Sequence, residues 1–148
     1  MKRHLISSVI LILLVLSIIG VLYALIRENS RTPHSYWELA QTQLADKNYV
    51  AAVRNLTKAA DGQIPDAQYQ LALLYDAGDK IPENREKAIF YMKAAAQLNY
   101  RDALYVMGVW TERGYFGTPD TTVAVDYYTR AAKWGHPNAM RSLIARYE

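Results

Sequence analysis

The sequence predicts an all-α protein: an N-terminal transmembrane helix, then a right-handed α-solenoid of about three helix-turn-helix repeats and a capping helix. Three observations carry this reading. Residues 66–101 and 102–137 echo each other at an offset of 36. The shift pairs Asp66 with Asp102, Tyr69 with Tyr105, Gly78 with Gly114, Ala88 with Ala124 and Tyr91 with Tyr127, and sets Ala95-Ala96 on Ala131-Ala132. Self-similarity at such a period is the mark of stacked helical hairpins, each burying its apolar face against the next. Residues 5–26 form a run of 22 without a charge. Finally, proline, glycine, aspartate and asparagine punctuate the remainder at helix-length intervals.

Composition narrows the function classes. The apolar share of 51% is raised by the run at 5–26. There is no cysteine, so neither a disulfide framework nor thiolate chemistry is available. Of 17 basic residues, Lys2 and Arg3 precede the run, leaving 15 against all 14 acidic ones. The high pI therefore describes no basic face, and no nucleic acid partner is expected.

Residues 1–4 are a short tail. As a helix, LISSVILILLVLSIIGVLYALI at 5–26 would extend roughly 33 Å, enough for a hydrocarbon core of about 30 Å. A cleaved signal has an apolar core of about 7–15 residues and small residues at its cleavage site. This run is longer, and Leu22-Tyr23-Ala24 offers a large residue there, so it reads as an uncleaved anchor. A very short basic N-terminus before one span favours a cytoplasmic N-terminus. The expectation is a single-pass protein of a bacterial inner membrane with its C-terminal domain in the periplasm. Residues 27–35, RENSRTPHS, read as a polar linker.

The solenoid is expected over 36–148, with units 36–65, 66–101 and 102–137 and a cap at 138–148. In the first unit Trp37-Glu38-Leu39-Ala40 matches Tyr69-Gln70-Leu71-Ala72 at an offset of 32, and Ala52, Ala59 and Ala60 match Ala88, Ala95 and Ala96 at 36. The difference is a shorter turn at Asp46-Lys47-Asn48. In the second unit helix A is expected from Asp66, as N-cap, to Ala77 with Gly78 as stop, and helix B from Asn84 to Gln97. The third unit uses Asp102 and Gly114 likewise, with helix B from Asp120 to Lys133. A last helix over Ala139–Tyr147 is the cap. Ala72 and Gly108, and the paired alanines of the B helices, recur where two helices must approach closely. Leu71, Met107, Tyr91 and Tyr127 fill the space between layers, and most of the tyrosines read as packing residues.

The pattern A-x-x-x-[LM]-[AG]…G…A-x-x-[YW]-[YM]-x-[KR]-A-A resembles the Sel-one-like repeat family, a 36-residue relative of the tetratricopeptide repeat. Residues 66–101 and 102–137 carry it closely, whereas 36–65 is more like an ordinary tetratricopeptide unit, with Tyr49, Ala52 and Ala59 in suitable places. Two departures are Thr111 for a tyrosine at the Tyr75 position, and Asn99 for the glycine matched by Gly135. The resemblance implies a protein-binding scaffold or adaptor rather than an enzyme. It also implies that helix A residues line an inner groove. Carried over, these are Trp37 and Gln41, then Tyr69, Leu73 and Asp76, then Tyr105, Val109 and Glu112. The row Trp37, Tyr69, Tyr105 would hold an extended peptide or a helix of a protein partner, since such rings are common anchors. The bland reading is that they pack on the next repeat. A rival function is a permanent structural or assembly subunit of a larger membrane complex, such as a secretion or pilus-type machine.

No constellation points to catalysis. His4, His34 and His136 show no metal-ligand spacing and read as solvated. Asp76 and Asp79 read as turn carboxylates rather than an acid/base pair. Asn55-Leu56-Thr57 matches a glycosylation sequon but falls inside a helix. Trp110 and Trp134 read as layer packing or loop contacts. No cofactor, metal or small-molecule substrate is expected.

Overall fold

The computed structural model describes residues 2–147, with side chains for residues 12–27 and 30–146. Among the described residues there are eight α-helices and no strand: α1 (Lys2–Asn29), α2 (Pro33–Ala45), α3 (Tyr49–Asp61), α4 (Pro65–Ala77), α5 (Arg85–Gln97), α6 (Arg101–Glu112), α7 (Thr121–Lys133) and α8 (Pro137–Tyr147). The chain divides into two compact units between Thr32 and Pro33.

The first unit is essentially α1, a helix of 28 residues whose side chains from Ile12 to Ile26 are exposed. Residues 5–11 of the expected span lie outside the described side chains. Among the described residues, no helix is long and apolar enough to cross a membrane. The polar linker is shorter than expected, because α1 runs on to Asn29 and α2 already begins at Pro33. Proline suits a first helical position, where an N–H would go unpaired anyway.

The second unit is three hairpins, α2–α3, α4–α5 and α6–α7, followed by α8. Each A helix packs most closely on its own B helix, and each B helix packs on the next A helix. The N-caps of α4 and α6 differ from expectation. Ile64 and Tyr100 occupy them without side-chain cap bonds, while Asp66 and Asp102 lie inside the first turn. Pro65 takes the first helical position and moves the start upstream. The two carboxylates then favour the helix dipole and remain available for side-chain partners. The B helices do start on side-chain caps: Asn48, Asn84 and Asp120 accept from the amides of Ala51, Lys87 and Val123 at 3.3, 2.9 and 2.9 Å.

The turns between hairpins share one geometry. Gln63, Asn99 and Gly135, at φ of 60°, 58° and 79°, donate to the carbonyls of Ala60, Ala96 and Ala132. The next residues, Ile64, Tyr100 and His136, donate to Ala59, Ala95 and Ala131. This crossed pair is the Schellman stop, which wants a left-handed residue and lets the one after it touch the last helical turn. The recurring alanine pairs thus end the B helices as well as admitting their neighbours. The turn also makes Ile64, Tyr100 and His136 structural equivalents.

Two core clusters follow the stack. One gathers Leu56, Leu71 and Leu74, and the other Met92, Leu104, Met107, Trp110 and Tyr128. Gly108 is buried, and a Cβ there would stand 2.7 Å from Cε1 of Tyr128. One period upstream the same positions hold Ala72 and Met92, both fully buried. The larger ring of the third unit is matched by a smaller facing residue.

Candidate functional site

The aromatic positions of α4 and α6 are each closed on one side by a turn residue. Tyr69 lies 5.3 Å from Tyr100, tilted by 47°, and the Tyr100 hydroxyl donates to Asp66 Oδ1 at 3.0 Å. Burial, then this bond, raises the Tyr100 hydroxyl well above its ordinary pKa. One period later Tyr105 stacks on His136 at 4.3 Å, with His136 Nε2 at 3.6 Å from Asp102 Oδ1. The same three positions recur: carboxylate, A-helix ring, turn ring. In the first layer Trp37 and Ile64 pack on one apolar cluster.

His136 is therefore not solvated, as the sequence suggests, but buried. It follows the Schellman turn of α7 and caps α8, its Nδ1 accepting from the Ala139 amide at 3.2 Å. Burial holds its pKa below the ordinary value, against the raising effect of Asp102 and with a smaller lowering effect from Arg101. His34 is exposed and lies 3.4 Å from Glu38, and His4 lies outside the described side chains. Among the described residues, no group of histidines and carboxylates could hold a metal ion.

The other groove candidates divide into two groups. Gln41 Nε2 donates to Gln70 Oε1 at 2.7 Å, joining α2 to α4. Leu73 is 37% exposed and lines a depression of about 260 Å³ with Gln70, Leu74, Ala77, Asp79 and Lys80. Val109 is half-buried against the core. Asp76 and Glu112, in contrast, are engaged internally. Asp76 accepts from the Tyr115 hydroxyl. Burial, then this bond, pushes that hydroxyl up to about 12. The Tyr115 ring stacks on Trp110 at 4.3 Å under the Arg85 guanidinium. Glu112 accepts from the Tyr128 hydroxyl at 2.7 Å and from Arg146. All eight candidates are at least partly open, but with both carboxylates engaged the candidate contact surface reduces to Trp37, Gln41, Tyr69, Leu73, Tyr105 and Val109.

Three side chains at this site went unread in the sequence: Gln70, Tyr100 and Tyr115. The period carried the signal for Tyr100, since shifting it by 36 lands on His136 as Asp66 lands on Asp102. Tyr115 reaches Asp76 across 39 residues from a loop whose course no local pattern dictates.

The model of the Sel1 repeat matches residues 34–63, 65–100 and 101–136. The chain belongs to the Sel1 repeat family. A Sel1 repeat protein of Oxalobacter formigenes has a solved structure that superposes with a TM-score of 0.70 at 26% identity, over 76% of this chain and 88% of that one. An uncharacterized protein of Neisseria meningitidis serogroup B is 33% identical over 64% of this chain and 20% of its own length. Chitin synthase regulatory factor 3 of Schizosaccharomyces pombe is 33% identical over 59% of this chain and 10% of its own. The chain thus spans a fifth or less of these two relatives. Sel1 repeat proteins mediate protein–protein interaction and are generally scaffolds rather than enzymes.

Proposed function

We propose that this chain is a membrane-anchored scaffold of the cell envelope that holds a peptide or helix of a partner protein along the α2, α4 and α6 face. The observation that carries the reading is the partial exposure of Trp37, Tyr69 and Tyr105 at equivalent positions of α2, α4 and α6, with Leu73, one turn after Tyr69, in its depression. Rings packed against their neighbours yet partly exposed offer area with little entropy left to lose on binding. The charge-free run at 5–26 supports the anchor, and an anchor raises the effective concentration of the groove toward a membrane or envelope partner. In this reading the repeats lie in the periplasm of a bacterial host.

A photo-crosslinking residue at Leu73 tests the groove in intact membranes, with Val50, 76% exposed on α3, as control. Discrete adducts are expected from Leu73 and not from Val50, and to fade in the Trp37→Ala/Tyr69→Ala/Tyr105→Ala variant. Equal adducts from both positions exclude the groove. A reporter fused after Glu148 tests topology, and activity on the cytoplasmic side excludes the periplasmic placement.

A further inference from the structure

A second concave surface lies away from the candidate groove, between the B helices α5 and α7. Lys93, Met107, Phe116, Asp120, Val123 and Tyr127 help line a depression of about 290 Å³. A smaller one adjoins it through Lys93 and Tyr127 and adds Ala96, Gln97 and Arg130. Together they form one trough with two chemically distinct ends. At the first end Phe116 and Val123 are exposed at 40% and 43% over a floor of buried Met107. Phe116 is held edge-on against Trp110 at 6.1 Å, so its ring is positioned rather than loose. Two cations line the trough: Lys93 stands where the depressions join, and Arg130 at the second end. Lys93 places its ammonium 5.5 Å from the Phe116 ring centre, and among the described residues no carboxylate lies within ion-pair distance of it. Arg130 is oriented by the Ala96 carbonyl and Asn99, both at 3.4 Å, with Asp126 at 3.9 Å. The acidic group in the trough, Asp120, lies at the apolar end and is engaged in capping α7.

We infer that this trough docks a segment of a partner protein that carries a large apolar or aromatic side chain next to acidic residues. The apolar side chain fills the Phe116, Val123 and Met107 end, and the carboxylates meet Lys93 and Arg130. Charge complementarity sets the acidic part of the segment on the Lys93 and Arg130 side. An acidic side chain set against Val123 would face Asp120, and a basic one at the Arg130 end would face Arg130 and Lys93. The trough shares helix α6 with the candidate groove but none of that groove's candidate residues, so either can fail without the other.

The test is panning of a random twelve-residue peptide display library on the full chain in detergent micelles, followed by fluorescence anisotropy of the enriched peptides. The expected result is enrichment of peptides that join an aromatic or large aliphatic residue to Asp or Glu. Affinity for them should fall at least tenfold in Lys93→Glu and in Val123→Asp, both exposed substitutions. The Trp37→Ala/Tyr69→Ala/Tyr105→Ala variant should bind them unchanged. Circular dichroism melts identify any variant that has lost its fold, and Lys93→Gln then serves as a second probe of the cationic end. Absence of enrichment, enriched peptides without acidic residues, or binding indifferent to both Lys93 and Val123 overturns the inference. Loss of binding in the triple variant alone assigns the peptides to the groove and overturns it as well.

Discussion

Gly108 sets a tight local demand inside the core of the solenoid. A methyl group there meets the Tyr128 ring at 2.7 Å, and Glu112 holds that ring by its hydroxyl at 2.7 Å. Alanine gains about 1 kcal/mol of helix preference over glycine. Overpacking costs roughly 1–3 kcal/mol, so Gly108→Ala should lose about 1 kcal/mol net in chemical denaturation. Adding Tyr128→Met recreates the Ala72 and Met92 pairing of the preceding repeat and should restore most of the loss. A double variant no better than the single one refutes the pairing. Gln68 poses the opposite case. Its Nε2 donates to Ala60 O at 3.1 Å, but its buried Oε1 has no partner. Ala60 O also accepts from Gln63, so it stays paired without the glutamine. An unpaired buried amide oxygen costs about 1–3 kcal/mol. Gln68→Leu, which copies the buried Leu104 one period later, should therefore raise the unfolding free energy by about 1 kcal/mol. A lower value shows that the amide is held by more than the Ala60 bond.

At the scale of the element, the turn between hairpins decides most of the behaviour. Glycine adopts the left-handed conformation without cost and other residues do not. Gln63, exposed at φ of 60°, should therefore yield about 0.5–1 kcal/mol of stability on mutation to glycine, and Asn99 less, because asparagine tolerates this region. The third turn carries a titratable group. His136 Nδ1 caps α8 only while it is unprotonated, and Asp102, Arg101 and Tyr105 are the polar neighbours facing it. Its pKa in the fold is lowered below the ordinary 6.5. Between those two values the unfolded chain binds more protons, so stability rises with pH through that window. The contribution is complete above about pH 6.5 and is lost as pH falls to the lowered pKa. Thermal melts should show the transition temperature falling over that window in the wild type. In His136→Tyr, which copies Tyr100 over Asp66, it should hold steady there. An identical decline in both assigns the pH dependence to other groups.

Across the whole molecule, legibility tracked the period. Hairpin order, the Ala72 and Gly108 approach and the alanine pairs could be read because stacking makes each repeat face the same neighbour. The starts of α4 and α6 were missed because a capping aspartate and a first-turn aspartate look alike in sequence, and of the two only α4 has a proline, Pro65, to mark the earlier start. His136 looked like a lone exposed histidine because its neighbours Tyr105 and Asp102 come from a helix about 30 residues earlier. The Tyr115 tie could not be read at all, and it bears on how the stack fails. Hairpins that touch only their neighbours unfold in local units rather than all at once. Tyr115 adds a bond from the α6–α7 loop back to Asp76 on α4, with Arg85 on α5 donating to its carbonyl. Tyr115→Phe removes the hydroxyl but keeps the Trp110 stack. Because the site is partly exposed, the global loss should be only about 1 kcal/mol. The effect should instead be local. Hydrogen exchange should quicken at the C-terminal turn of α4 and through residues 113–120, while α2 and α3 keep their protection. Faster exchange spread evenly from α2 to α8 would mean that the solenoid opens as a single unit, and the tie between the second and third repeats would then have no separate role.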